Sequence, residues 1–327
     1  MKAAVRSKYG SPDILSIQEI DIPTPKDNEV LVRVYATTVN RTDCAILSGK
    51  PFISRLFTGL FKPSLLVTGT DFAGKIEAKG KDVKSFKAGD NVMGFDGMGI
   101  KSHAEYLSLA ETKLITTIPD NITYEQAAAC LEGAIYALSS MIDKVNPKAG
   151  QRGIVNGATG AIGSAAVQLL KYLGVHVTAV CDTKNLELVK SLGADRVIDY
   201  TKEDFTKDDQ KCNFIFDTVG KSSFSKCKPL LIPGGIYISS DPGPNWENAY
   251  LPLTTAITGN KKVIFAIPFH MKRSLFLTKN LIEQGRFKPV IDRKYPLEKI
   301  ADAYQYVATG QKTGNVVISL EDSNKSQ

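Results

Sequence analysis

The run Val155-Asn-Gly-Ala-Thr-Gly-Ala-Ile-Gly163 places Gly157, Gly160 and Gly163 at intervals of three. Residues 153–156 before it read as a short apolar strand, and residues 162–173 after it read as a helix. Glycines at a strand-to-helix junction let the backbone approach a phosphate closely. The first turn of the helix then supplies free N–H groups and the positive end of its dipole. In such a turn Gly160 admits the pyrophosphate of a dinucleotide, and Gly163 lets the helix pack tightly on the sheet. Ala158 stands where the first glycine of the usual fingerprint would be, and Thr159, Ala161 and Ile162 complete the candidate contact set. A tight turn without a ligand is the plainer alternative. The complete strand–helix–strand unit that follows favours the dinucleotide.

The next predicted strand, His176–Cys181, ends about 20 residues beyond the glycines, where the ribose of a bound dinucleotide is read. An acid there favours NAD by accepting from the ribose hydroxyls, and a cation favours NADP by meeting its extra phosphate. The sequence offers both, in Asp182 and Lys184. Asp182 is equally readable as a cap of the following helix, and Lys184 as an ordinary surface lysine.

Other constellations are excluded. The chain has three histidines, His103, His176 and His270, at no spacing that shares a metal. Its five cysteines, Cys44, Cys130, Cys181, Cys212 and Cys227, form no Cys-x-x-Cys pair. The odd count and wide spacing predict reduced thiols in a cytoplasmic protein. The N-terminal residues read as a strand start with no targeting segment. No apolar run approaches the ~18 residues of a membrane span, so no membrane partner is expected. The formal net charge is +7, but the lysines are scattered and form no basic run. That surplus suits a phosphate-bearing small molecule, and its scatter argues against a nucleic-acid partner.

The length of 327 residues predicts two domains. The first third is strand-rich. Glu29-Val-Leu-Val-Arg-Val-Tyr35 alternates apolar and polar residues, and shorter runs at 65–68, 72–76 and Asn91–Phe95 are separated by turn residues. Thr123, with Gln126 three residues on, signals a capped helix start. Beyond Gln151 strands and helices alternate: strands at 176–181, 196–199, 213–217 and 235–239, helices at 184–192 and 222–231. This pattern predicts a parallel sheet buried on both faces. Helices at 275–284 and 298–307 and a closing strand at 314–319 follow. Residues 321–327 read as a frayed polar tail. Residues 49–61 carry several aromatics in irregular sequence and read either as a wall for an apolar substrate or as a cover for the β-rich domain.

Taken in order, a series of segments resembles the medium-chain dehydrogenase/reductase superfamily, in its zinc-free quinone oxidoreductase and enoyl-reductase branch. They are Met1-Lys-Ala-Ala, Glu29-Val-Leu-Val-Arg-Val, Val39-Asn-Arg-Thr-Asp43, Gly69-Thr-Asp-Phe-Ala-Gly74, Phe86-Lys-Ala-Gly-Asp-Asn-Val92 and Ala104-Glu-Tyr106. After the glycine turn come Leu192-Gly-Ala-Asp-Arg-Val-Ile-Asp-Tyr200, Phe216-Asp217, Pro233-Gly-Gly235 and Gly314-Asn-Val-Val-Ile. The resemblance spans nearly the whole chain. It implies an α/β fold: a doubly wound Rossmann domain, residues 123–267, inserted in a GroES-like β-rich catalytic domain, residues 1–122 with 268–327. It also implies an active site in a cleft between the two domains, and a homodimer.

The same resemblance implies that Lys184 and Tyr200 grip the 2′-phosphate of NADPH, with NADH as the possible alternative through Asp182. It implies that the backbone around Phe265 meets the nicotinamide carboxamide, the plainer reading of 262–267 being an edge strand. Asn40 is the first candidate for orienting the substrate or the nicotinamide ribose; the alternative is a structural Asn holding the turn to Asp43. Tyr136 stands where relatives often have a threonine, and is either a proton donor or a packed aromatic. Glu132 reads most simply as a first-turn carboxylate. Gly69-Thr70-Asp71 replaces the Gly-His-Glu of zinc members, so no metal is expected. The implied function is NADPH-dependent hydride transfer to a small electrophile, a quinone or an α,β-unsaturated carbonyl. The alternatives are a non-enzymatic dinucleotide- or RNA-binding protein, and a zinc-independent alcohol dehydrogenase.

Overall fold

The computed structural model describes residues 1–320, so the tail expected at 321–327 lies outside the described residues. No helix among them is long and apolar enough to cross a membrane. The strands, in chain order, are β1 (Lys2–Val5), β2 (Ser16–Glu19), β3 (Glu29–Val39), β4 (Asp71–Lys79), β5 (Asn91–Phe95), β6 (Tyr106–Ala110), β7 (Ile115–Thr117) and β8 (Arg152–Asn156). They continue with β9 (His176–Cys181), β10 (Arg196–Asp199), β11 (Cys212–Asp217), β12 (Leu231–Ser239), β13 (Lys262–Phe265), β14 (Ile291–Pro296) and β15 (Asn315–Ser319).

Two compact units emerge. One comprises Met1–Glu132 with Lys288–Gln327, the other Gly133–Phe287. Both joints fall later in the chain than the sequence places them. Residues 124–129 pack on β3 and β4 of the first unit, and the helix Met271–Glu283 packs on residues 137–142 of the second.

In the first unit, β3 alternates buried and half-buried residues through its first half, as a strand with one face on a core must. It pairs antiparallel with β4, β6 and β15, and the sheet runs β14-β15-β3-β4-β5-β7. Val30, Val32, Val34, Phe72, Ile76 and Leu107 close one core cluster under it. The apolar run 65–68 makes no strand. Its backbone forms isolated bonds instead, Leu66 accepting from Arg6 and Thr68 from His103, with a single bridge between Val5 and Val67.

The second unit is a six-stranded, wholly parallel sheet in the order β10-β9-β8-β11-β12-β13. That is the doubly wound order, which reverses between β8 and β11. Phe214, Ile215 and Phe216 of β11 are fully buried, as a strand covered on both faces requires. Two predicted helices are shorter than expected. Residues 183–185 form a tight 3₁₀ turn before the helix Leu186–Ser191, and Phe224–Cys227 gives way to a 3₁₀ turn at Lys228–Leu230 that accommodates Pro229. A π-helical segment, Ala137–Ile142, was not foreseen.

Candidate functional site

The glycine turn sits at the C-terminal end of β8, beside the end of β11, where the strand order reverses and a crevice opens in folds of this type. Gly157 has φ +80°, a left-handed backbone that glycine adopts without strain, and a Cβ there would meet Val219. Gly163 is required by contact: a Cβ would lie 2.1 Å from the Gly157 carbonyl oxygen. Gly160, at φ −69° and ψ 172°, is different, since the nearest atom to its missing Cβ is 3.7 Å away. The open space there is a cradle that a side chain would fill. Gly160 begins the helix Ala161–Tyr172 with no side-chain cap. The first-turn N–H groups of Ala161, Ile162 and Gly163 precede the first intrahelical donor, Ser164, and so point outward. Gly157 and Ala158 donate instead to the Val180 carbonyl of β9, which fixes the turn, and Thr159 lies between them and Gly160. The residues present therefore fit the pyrophosphate of a dinucleotide.

Asp217, at the end of β11, escaped the sequence analysis as a functional position. It is fully buried and accepts from Asn156 Nδ2 at 3.0 Å, Gly220 N at 3.0 Å, Ser222 N at 3.0 Å and the Tyr237 hydroxyl at 3.1 Å. Burial and this carboxylate push the Tyr237 phenol far up, keeping it a donor. Thr218 Oγ1 donates to the carbonyls of Asn156 and Gly157. One acid thus ties the ends of β8, β11 and β12 into a rigid floor for the turn. Its sequence signals were an acid closing an apolar strand and the Phe216-Asp217 pair of the family resemblance.

At the end of β9, the Asp182 side chain caps no helix N–H. It accepts from Asn185 Nδ2 at 2.6 Å and lies 3.6 Å from Lys184 Nζ. The parallel register of Asp199 with Cys181 brings Tyr200 to the same sheet edge, and Tyr200 N donates to the Cys181 carbonyl. Both Lys184 and Tyr200 are exposed. Asp199 is occupied, accepting from the hydroxyls of Thr183 and Thr201, which hold its carboxyl down at about 2. Asp182, Lys184 and Tyr200 therefore gather at one edge, as their sequence positions alone do not reveal.

Phe265 ends β13 at the sheet edge, and its carbonyl accepts from Lys144 Nζ at 2.9 Å. Lys144 follows the π-helical segment, and burial lowers its pKa. The helix Leu131–Tyr136 reaches the glycine turn, because a Cβ on Gly133 would lie 2.4 Å from the Ala161 carbonyl oxygen. Tyr136, one turn further on and half-buried, is carried by a helix docked at that turn.

Asn40 belongs to the first unit. It caps the helix Arg41–Ser48: Oδ1 accepts from Asp43 N at 2.9 Å, and Asn40 N donates to Asp43 Oδ2 at 3.1 Å. Its Nδ2 donates to Thr70 Oγ1 at 2.8 Å. The structural reading of Asn40 is thus realised, with one amide N–H left over from the pair. Around it lies a buried polar network. Asp71 accepts from Thr38 N at 2.7 Å, Thr38 Oγ1 at 2.5 Å and Thr37 Oγ1 at 3.2 Å. Burial raises its carboxyl to about 7, and burial likewise raises Asp43 and Glu132. Glu132 is the first-turn acid of the helix Leu131–Tyr136, as expected; it is buried there and accepts from Thr42 Oγ1 at 2.9 Å. His103 is fully buried, with its ring held by Thr68 and the Thr38 carbonyl, and burial lowers its pKa to about 4. Among the described residues no three His, Cys, Asp or Glu side chains gather to hold a metal ion.

Two family models match: the alcohol dehydrogenase GroES-like domain over residues 26–120, and the zinc-binding dehydrogenase domain over residues 192–318. The chain is 32% identical over 314 residues to the chloroplast envelope quinone oxidoreductase homolog of Arabidopsis thaliana, covering 92% of each chain. It is 34% identical to the 2-methylene-furan-3-one reductase of Solanum lycopersicum, covering 97% of this chain and 79% of that one. It is 30% identical to the human quinone oxidoreductase, covering 98% of both. The fold matches that of the quinone oxidoreductase from Coxiella burnetii with a TM-score of 0.85 over 98% of this chain and 99% of that one, at 23% identity. With the glycine turn, the doubly wound order and relatives of this identity and coverage, the chain belongs to the medium-chain dehydrogenase/reductase superfamily, in its quinone oxidoreductase-like branch.

Proposed function

We propose that this protein is an NADPH-dependent reductase of small electrophiles, quinones or α,β-unsaturated carbonyls, and that it works without zinc. The observation that carries the reading is the free helix start at Ala161–Gly163 over the open cradle at Gly160, on the floor built by Asp217. When bound, the dinucleotide supplies the hydride. Without a Lewis acid, an unactivated alcohol is a poor partner, whereas a conjugated carbonyl spreads the arriving charge onto its oxygen. That oxygen wants a hydrogen-bond donor.

The chain's own groups divide the work. The N–H groups of Ala161, Ile162 and Gly163 bind pyrophosphate. The Lys184 ammonium and Tyr200 hydroxyl meet the 2′-phosphate, while Asn185 and Lys184 draw on the charge of Asp182, which otherwise favours NADH. Lys144 holds the Phe265 carbonyl, so the backbone after β13 is set for the carboxamide. The remaining amide N–H of Asn40 orients the nicotinamide ribose or the substrate, and the Tyr136 hydroxyl or solvent returns the proton.

Titration with NADPH and with NADH, followed by nicotinamide fluorescence at fixed salt, tests the cofactor assignment. Lys184→Ala is expected to weaken NADPH binding by about tenfold or more, the worth of a charge-assisted phosphate contact, and to leave NADH within about twofold. Equal losses for both cofactors would remove Lys184 from the phosphate grip. Preference of the parent for NADH would transfer the choice to Asp182.

The assembly is read as a homodimer. β13 is an unpaired edge of its sheet, and the helix Glu247–Thr258 that packs on it exposes Leu253 and Ile257. The double substitution Leu253→Asp with Ile257→Asp is expected to give a monomer by light scattering; an unchanged mass would place the interface elsewhere. Cytoplasmic residence is part of the same reading, supported by five free thiols.

A further inference from the structure

From residue 44 to residue 70 the chain carries no Asp or Glu, but it carries Lys50, Arg55 and Lys62. Inside that stretch Phe52 and Leu56 are each 63% exposed, Leu66 is 56% exposed and Phe61 is 88% exposed. With Leu60, five large apolar side chains among the described residues face water within fifteen positions, which costs solvation that a core placement would recover.

The segment is nevertheless well built. The Tyr9 hydroxyl donates to the Gly59 carbonyl at 2.6 Å and lies 2.8 Å from Thr58 Oγ1. Arg55 Nε donates to the Gly49 carbonyl at 3.1 Å, and its guanidinium stacks 4.5 Å above the Tyr9 ring and 5.3 Å from that of Phe52. Ser64 N donates back to the Thr58 carbonyl at 2.8 Å. These bonds spend the polar groups inward and leave the apolar side chains outward. Lys50 and Lys62, at either end of the exposed run, are exposed and have no ion pair among the described residues. Lys8 is exposed next to the anchoring Tyr9. The turn at Gly99 touches Leu65 and adds the exposed Met98 and Lys101. The acid of that turn, Asp96, is already paired with Lys113 at 3.3 Å.

We infer that residues 50–66 form a docking surface for an anionic lipid bilayer, with the apolar side chains at the headgroup boundary and the lysines against lipid phosphates. Exposed apolar residues flanked by Lys50 and Lys62, in a stretch of sequence without acids, match the charge and polarity of such a surface. A protein partner with an acidic rim would present a similar charge, but it offers no reason for aromatic and leucine side chains to stand out without a groove among them. No span is involved: the segment lies on the membrane. No residue of the glycine turn takes part, so the surface stands or falls independently of the reaction proposed above.

Flotation of the purified full chain with phosphatidylcholine vesicles, with and without phosphatidylserine, tests this. The chain is expected to float with the anionic vesicles at low salt, to bind phosphatidylcholine alone at least tenfold more weakly, and to dissociate as salt rises. Lys50→Gln with Lys62→Gln is expected to weaken binding by about fivefold per lysine. Leu56→Ser with Phe61→Ser is expected to abolish flotation while the thermal midpoint stays that of the parent. Absence of flotation at low salt overturns the inference, as does flotation that survives the Leu56/Phe61 substitutions. Concentration-dependent self-association without vesicles, lost in that variant, overturns it in favour of a second copy of the chain.

Discussion

Replacing Gly163 with alanine is expected to abolish measurable cofactor binding and to cost about 1–3 kcal/mol of stability, the usual range for overpacking a tight contact. The added Cβ would stand 2.1 Å from the Gly157 carbonyl oxygen and 2.8 Å from its carbon, both of them backbone atoms. The helix start and the turn must therefore move apart, which misaligns the N–H groups of Ala161 and Ile162. Gly160→Ala is the necessary partner experiment. Its backbone is already in a region alanine accepts, and the nearest atom is 3.7 Å away. The variant is expected to keep the parent's thermal midpoint and yet to bind NADPH at least about tenfold more weakly, because the methyl occupies the space reserved for the pyrophosphate. Fluorescence titration and thermal melts of both variants check this. Full NADPH affinity in Gly160→Ala would mean that the cradle holds no phosphate, and an unshifted melt in Gly163→Ala would refute the packing account.

Asp71→Ala is expected to have the largest effect on stability, about 3–5 kcal/mol. It strands the Thr38 N–H and the Thr38 hydroxyl in a water-free interior, each an unmade hydrogen bond worth about 1–3 kcal/mol when buried, while the Thr37 hydroxyl keeps the Asp71 backbone carbonyl. Asp71→Asn keeps an acceptor for Thr38 N and a donor for a hydroxyl, and is expected to cost about 1 kcal/mol at neutral pH. The pair also isolates a pH effect. Burial raises the folded-state pKa of Asp71 to about 7 from an ordinary value of 3.8, so the native state holds this proton more tightly than the unfolded chain does. The stability that this contributes is complete below pH 3.8 and is lost as pH rises through about 7. Asp199, held down at about 2, acts in the opposite sense, contributing above pH 3.8 and losing that contribution as pH falls toward 2. The parent is therefore expected to lose stability relative to Asp71→Asn between pH 5 and 8, measured by urea unfolding. Parallel pH profiles for the two proteins would show that Asp71 is ionised throughout that range in the fold.

The parts of this protein that were legible in its sequence are those whose physics is local. A glycine-spaced turn between an apolar strand and a helix was expected after β8, and the doubly wound sheet carries it there. The alternation along Glu29–Tyr35 announced a strand with one buried face, and the Thr123–Gln126 pair announced a capping box that is present. For Asn40 and Asp182 the same residues permitted two roles. Only the surroundings chose: Asp43 and Thr70 claim most of the Asn40 amide, and Asn185 turns the Asp182 carboxylate away from capping. What the sequence could not disclose depends on residues far apart in the chain meeting at one point. Asp217 is bonded to groups from β8, β12 and its own loop, Asp71 takes its raised pKa from burial under β3, and Lys144 finds the carbonyl of Phe265 across 121 positions. Exposure has the same origin. Phe61 and Leu47 are both apolar residues near turns, yet one faces water and the other the core. Type and spacing thus marked the backbone turn proposed to bind a phosphate, while solvent access, and with it charge state and outward-facing surface, was decided by tertiary packing alone, because desolvation is a property of everything that surrounds a residue.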